Sequence, residues 1–269
     1  MEGASKILNQ QHVAELDHKI AVITGASSGI GKAIAQKMSA EGAEVYLLDR
    51  DILKGEALAA ELSSKTGKAH FKVCDVTNTQ EIGALFEEIA AQRGIDILVN
   101  DAGIAHVGNL EHTSEEDFDR LYQVNIKGIF NCSKAAITHM KAKGQGVILN
   151  LASIAASVGI SDRFAYSMTK GAVRAMTYSI AKDYVQYGIR CNCISPARVH
   201  TPFVDGFIAK NYPGQEAEMF EKLSRTQPIG RMGTPEEVAE FATFLCSDKA
   251  QFLTGTDYPI DGGFLTLNS

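Results

Sequence analysis

A single α/β domain, with a seven-stranded and mainly parallel sheet flanked by helices, follows from three features of this 269-residue chain. Short apolar runs alternate with segments of helical periodicity, at intervals of roughly 20–30 residues, the pattern of successive βαβ units. A glycine loop stands at the first strand-to-helix junction. No Pro- or Ser-rich linker, low-complexity tract or internal repeat divides the sequence. Right-handed crossovers then place helices on both faces of the sheet.

The candidate strands are 20–24, 44–48, 69–74, 95–99, 147–151, 190–195 and 257–260. Between them, apolar residues recur at helical spacing over 30–40, 52–63, 80–92, 115–140, 165–184 and 235–246. Residues 1–17 are polar and form an expected N-terminal arm; residues 18–269 form the domain, with a segment at about 200–227 set apart as a lid.

Bulk composition narrows the function classes. The chain is 45% hydrophobic and 22% charged, with a net charge of -6. An acidic balance without a basic face argues against a nucleic-acid partner. No apolar run is long enough to span a bilayer, and the polar N-terminus lacks a signal core. A cytoplasmic protein is expected. The five cysteines (Cys74, Cys132, Cys191, Cys193 and Cys246) are scattered, as reduced thiols are. Cys191 and Cys193 on one strand are expected to face opposite sides and to pack as small hydrophobes. The histidines show no paired ligand spacing, so no metal site is expected.

The first strand runs into Thr24-Gly25-Ala26-Ser27-Ser28-Gly29-Ile30-Gly31 and then a helix. Gly25 permits the sharp turn off the strand, Gly29 lets a pyrophosphate approach the backbone, and Gly31 allows the helix to pack closely. The helix N-terminus, with Ser28 and Ile30 in the same turn, presents free N–H groups to phosphates. The loop therefore predicts a dinucleotide site in a doubly wound, Rossmann-like domain. Asp49 ends the second strand, where an acid accepts hydrogen bonds from ribose hydroxyls and repels a 2′-phosphate. This favours NAD over NADP, although Arg50 beside it suits a phosphate.

Tyr166 and Lys170, at i and i+4, share one helix face. A cation one turn away stabilises a phenolate, so a tyrosine so placed can exchange protons near neutral pH. Ser153 lies upstream, after the fifth strand.

In order and spacing, Thr24–Gly31, Asp75, Asn100-Asp101-Ala102-Gly103, Asn125, Ser153, Tyr166, Lys170 and the turn Pro196-Ala197-Arg198-Val199-His200-Thr201 resemble the short-chain dehydrogenase/reductases. The resemblance covers about residues 16 to 265. It implies that Tyr166 is the general acid/base, that Lys170 assists it and binds the nicotinamide ribose, and that Ser153 hydrogen-bonds the reacting oxygen. It gives Asn125 a water in a proton relay, Asp75 and Val76 the adenine, and Asn100, with Ala102 and Gly103, the adenosine ribose side. Pro196, Val199 and Thr201 would hold the nicotinamide carboxamide. The hydride chemistry is the cofactor's own. Two positions depart from the family pattern: Asp101 replaces the usual Asn, and Ala197 the usual Gly.

Arg163 lies three residues before Tyr166, on nearly the same helix face, where its guanidinium could grip a carboxylate. Members of the family acting on 3-hydroxybutyrate or ketodeoxy sugar acids are similar here. Arg198 and His200 lie near the expected nicotinamide end, but residues after such a turn commonly face solvent. Phe203, Phe207, Tyr212 and Phe220 punctuate the lid. The expected substrate is a small hydroxy acid, sugar acid or polyol. Small residues Met168, Gly171, Ala172, Ala175 and Ser179 oppose the tyrosine face, and the family pairs subunits through this helix, so a homotetramer is expected. Rival readings are an NADP-dependent ketone reductase of another small substrate and a non-enzymatic dinucleotide sensor. The intact Ser153, Tyr166 and Lys170 set argues against the sensor.

Overall fold

The computed structural model describes residues 14–267. Its seven strands are β1 (Ile20–Thr24), β2 (Glu44–Asp49), β3 (Ala69–Val73), β4 (Ile97–Asn100), β5 (Gly146–Leu151), β6 (Ile189–Pro196) and β7 (Asp257–Ile260). They form one sheet in the order β3-β2-β1-β4-β5-β6-β7. Every adjacent pair is parallel. The winding reverses between β1 and β4, and a crevice opens there at the carboxyl ends of the strands.

Alternation along each strand builds a core on each face. Ala21 and Ile23 of β1 join Val45, Leu47 and Val99 beneath α1 (Gly29–Ala40) and α9 (Pro235–Cys246), with Ile34, Met38, Val238 and Ala242. Ile20 and Val22 face the other way, joining Leu48, Leu98 and Ile148 beneath α3 (Thr79–Arg93) and α5 (Gly128–Lys143), with Phe86, Ile89 and Met140. Cys191 belongs to this second core and Cys193 to a separate cluster with Val173. Contrary to the expectation, the two side chains share one face of β6, as residues two apart on a strand must, and both meet Thr177 of the helix Phe164–Tyr184. All five thiols are buried.

Several boundaries differ from the sequence expectation. β4 begins at Ile97, not at residue 95; Asp96 still bonds both neighbouring strands through its backbone, its N donating to Ile20 O (3.0 Å) and its O accepting from Val147 N (2.8 Å), and adds side-chain bonds. Its Oδ2 accepts from Ile20 N (2.9 Å) and its Oδ1 from Lys143 Nζ (2.6 Å). α2 (Ile52–Thr66) runs on to Gly67, whose left-handed backbone (φ 69°) closes the helix. The helix expected over 115–140 is α4 (Glu115–Leu121), a π-helical segment (Tyr122–Lys127) and α5 in unbroken succession. The segment around 200–227 is itself helical, as α7 (Pro202–Asn211) and α8 (Glu216–Ser224). Of the expected arm, residues 1–13 lie outside the described residues, while Leu16 is fully buried and its N–H donates to Glu41 O at 2.9 Å. Among the described residues, no helix is long and apolar enough to cross a membrane.

Beneath the crevice the core turns polar. Asn100 and Asn150 pair in register at the ends of β4 and β5. Asn100 Nδ2 donates to Asn150 Oδ1 (2.9 Å), and Asn150 Nδ2 donates to Thr177 Oγ1 (2.9 Å) on α6 (Phe164–Tyr184). Asn150 is fully buried, so its bonds tie β4, β5 and α6 together where water cannot substitute. Asn150→Ala leaves the Asn100 amide without its closest acceptor and is expected to cost about 2–4 kcal/mol. Urea unfolding checks this: the midpoint should fall with an unchanged slope.

Candidate active site

The crevice holds a cleft of about 640 Å³. Its floor starts at the glycine loop. Gly25 (φ 69°) and Gly29 (φ 55°) adopt left-handed backbone, which disfavours any side chain. The loop also lies hard against the turn after β4. A β-carbon at Gly25 would stand 2.8 Å from Ala102 N, and one at Gly31 would collide with Gly25 O. Ser28, the N-cap of α1, makes no side-chain capping bond, and the first turn carries no acid. The α1 amides that such groups would satisfy are thus left for a ligand, which suits the phosphates of a dinucleotide.

Asp49 closes the cleft at the end of β2. Its Oδ2 accepts from Ser27 N (3.0 Å) and its Oδ1 from Asp51 N (3.0 Å), so two amides fix the carboxylate. Arg50 is exposed and leans toward Asp75, Nε to Oδ2 at 3.7 Å. Burial pushes the Asp75 carboxyl up, but hydrogen bonds from Thr77 and the Arg50 charge outweigh it and hold it below the ordinary range. Val76 lines the cleft beside it.

The other end of the cleft is built from α6 (Phe164–Tyr184) and the segment after β5. Tyr166 and Lys170 both line the cleft, with Lys170 Nζ 5.7 Å from the Tyr166 ring centre. The ammonium is buried and donates to Leu151 O at 2.7 Å, which holds the long side chain in one place. Ser153 caps the short 3-10 turn Ile154–Ala156, its Oγ accepting from Ala155 N at 3.2 Å, and it shares the cleft wall with Tyr166.

Of the expected site residues, Gly25, Ser28, Gly29, Ile30, Asp49, Asp75, Val76, Ala102, Gly103, Ser153, Arg163, Tyr166, Lys170, Pro196, Val199 and Thr201 line this one cleft. Three do not. Gly31 sits behind the loop that it lets close. Asn100 is buried, its amide bonded to Asn150 and to Ser133 Oγ (3.2 Å). Asn125, in the π segment, spends its side chain on the backbone of Ile104, accepting from N (2.8 Å) and donating to O (2.8 Å), and on Thr169 Oγ1 (3.1 Å). Its side chain therefore positions the loop after β4 against α6. π turns recur at functional sites because they shift helical hydrogen bonds out of register.

Arg198 emerges as a cleft residue, not a solvent-facing one. Its Nε donates to Thr226 Oγ1 at 3.0 Å. Burial pushes its guanidinium below the ordinary value, and the charge of Arg163 adds to that. Arg163 donates from Nη1 to His106 O (3.1 Å) and lies 5.6 Å over the Phe207 ring of α7. Neither arginine has a carboxylate partner among the described residues. His200 stays outside the cleft, paired with Asp205 at 2.9 Å and edge-on to Phe220. Pro202, Phe203 and Val204 of α7 complete the wall, with Phe264. No sequence signal marks Leu151 or Ile104, because their contribution is backbone; Arg198 was visible only as an arginine near the right turn.

A family model described as enoyl-(acyl carrier protein) reductase matches residues 25–265. An uncharacterized oxidoreductase of Thermotoga maritima is 41% identical over 91% of this chain and 96% of its own. The chain belongs to the short-chain dehydrogenase/reductase family. Another family member, the 2-keto-3-deoxy-L-fuconate dehydrogenase of Xanthomonas campestris pv. campestris, is 36% identical over 93% of this chain and 81% of its own. Among solved structures, L-sorbose reductase from Gluconobacter frateurii, complexed with NADPH and L-sorbose, aligns with a TM-score of 0.90 at 30% identity, over 95% of this chain and all of its own (100%). This short-chain dehydrogenase/reductase is accordingly an NAD(P)-dependent oxidoreductase. The cradle beneath the dinucleotide depends on the missing β-carbon of Gly31. Gly31→Ala is expected to weaken NADH binding at least about tenfold, by forcing the loop off the β4 turn, in a titration calorimetry comparison with the wild type.

Proposed function

We propose that this enzyme oxidises a secondary alcohol of a small, acidic, sugar-like substrate to the ketone, or runs the reverse reaction, with NAD as its dinucleotide. The observation that carries this reading is the pair of guanidinium groups, Arg163 and Arg198, at the Tyr166 end of the cleft without carboxylate partners. Two partly buried like charges are costly unless a ligand anion compensates them. A hydroxy acid or sugar acid supplies that anion, and its carboxylate suits a guanidinium fork. The 2-keto-3-deoxy-L-fuconate dehydrogenase, a relative named for an acidic sugar derivative, supports the same class.

In this reading Tyr166 accepts the alcohol proton, or donates it in reduction, and Ser153 Oγ hydrogen-bonds the same oxygen. Lys170, anchored by Leu151 O, keeps a positive charge beside the phenol as that proton leaves. Asn125 acts by position, since its side chain is committed to Ile104 and Thr169; a relay water would lie on the π segment's backbone. The bound dinucleotide supplies the hydride acceptor, and the chain supplies orientation and proton handling. Helices α7 and α8 serve as the lid over the substrate.

Asp49 supports NAD over NADP. A carboxylate held by two amides at the ribose position repels a 2′-phosphate. The neighbouring cations are already drawn to acids, Arg50 to Asp75 and Lys54 to Asp51 (2.7 Å). The outer faces of α5 and α6 support a homotetramer: Phe130, Phe164 and Tyr178 stand 48%, 42% and 44% exposed, and a β-carbon at Gly171 would meet nothing within 4 Å.

Nicotinamide absorbance, followed with NAD and with NADP against hydroxy acids, aldonic acids and polyols, tests the reading. Turnover of an acid with NAD is expected, and Tyr166→Phe should lower kcat by about 10²–10⁴-fold. Arg163→Ala should raise KM for the acid by about tenfold or more and spare a polyol. An equal effect on both would sink the carboxylate assignment; preference for NADP would overturn the role given to Asp49. Sedimentation at micromolar protein should show a tetramer, and a monomer alone would remove the case for paired helices.

A further inference from the structure

Asp101 is an ionisable side chain placed against the glycine loop, and neither the comparisons nor the expected catalytic set gives it a role. Its backbone is pinned: Asp101 N and Ala102 N both donate to Thr24 Oγ1, at 3.2 and 3.1 Å. The side chain then reaches under the glycine loop. A β-carbon on Gly31 would stand 2.6 Å from Asp101 Oδ2, so the carboxyl fills the space that the glycine leaves. Asp101 Oδ2 therefore stands against Gly31, in the first turn of α1, where the helix dipole favours an anion. The same turn is where a pyrophosphate would bind.

We propose that Asp101 couples dinucleotide binding to proton uptake, because its carboxyl and the dinucleotide's phosphates compete for one helix N-terminus and the two bind together only when the carboxyl is neutral. This rests on the dinucleotide assignment made above. Burial pushes the Asp101 carboxyl up to about 7; the Lys170 ammonium on α6 and the Gly31 amide pull it down, and Asp49 on β2 pushes it up. The group therefore changes charge in the physiological range. Below pH 7 it is neutral and leaves the α1 amides to the phosphates. Above pH 7 it is an anion facing another anion. Binding phosphates raises its pKa further, so a proton enters with the ligand and affinity falls as pH rises. An asparagine, the usual residue here in the family, keeps an acceptor for the Gly31 amide but cannot titrate.

Calorimetric titration of NADH and NADPH into the wild-type enzyme and Asp101→Asn at pH 6, 7 and 8, each in two buffers of different ionisation heat, counts the protons directly. The wild type should take up a substantial fraction of a proton near pH 7, with Kd weakening by up to about tenfold per pH unit above it. Asp101→Asn should bind with no such uptake and a flatter pH dependence. Wild-type binding without proton uptake, or with proton release, overturns the proposal even if the variant fails to fold. Equal proton counts in wild type and variant assign the uptake elsewhere and overturn it too. Absence of binding by either dinucleotide to the wild type would instead overturn the cofactor reading and this proposal with it.

Discussion

The close stacking of two turns, the glycine loop after β1 and the turn after β4, is the constraint on which the site depends. The two strands are neighbours in the sheet but belong to opposite halves of the winding. Thr24 Oγ1 joins them, accepting from Asp101 N and Ala102 N while donating to Val99 O at 3.4 Å. Gly25 and Gly31 permit the contact by lacking β-carbons. With larger residues the turns would separate, and the α1 amides would lose their aim at the crevice. The amide-lined cradle is thus a by-product of backbone packing, and side chains such as Asp49 are added around it.

The Tyr166 end of the cleft depends on a second set of backbone contacts. Lys170 is held by the Leu151 carbonyl, at the end of β5. Asn125 clasps Ile104 through both N–H and C=O and reaches Thr169 on α6. Beneath them, Asn150 joins β4, β5 and α6 through its amide. Helix α6 is therefore braced by polar bonds in a place where apolar packing alone would allow it to slide. Such buried bonds contribute little net stability when made, but they are costly to break, and that asymmetry fixes geometry.

Charge is distributed along the cleft in a graded way. Acids Asp49, Asp75 and Asp101 line the end of the cleft nearer β2, the first two satisfied by amides or a hydroxyl. Cations Lys170, Arg163 and Arg198 gather at the Tyr166 end. A ligand that is neutral or hydroxyl-rich at one end and anionic at the other fits this gradient.

The sequence by itself determined the layer order, most strand positions and the residues that carry chemistry, because these follow from periodicity, from glycine's backbone freedom and from spacing along one helix. Tyr166 and Lys170 must share a face wherever α6 lies, and Gly25 and Gly29 must turn wherever β1 ends. The fold alone decided what meets across the chain. Arg198 faces the cleft beside Arg163, although residue 163 opens α6 and residue 198 follows β6. Asn100 points into the core instead of the cleft, and Asp101 takes the place beneath Gly31. The long helix expected over 115–140 carries a π segment at Asn125 that no periodicity marks. Local pattern encodes which backbone conformation each residue prefers; long-range contact depends on how seven strands and their crossovers stack, and on backbone atoms that every residue shares.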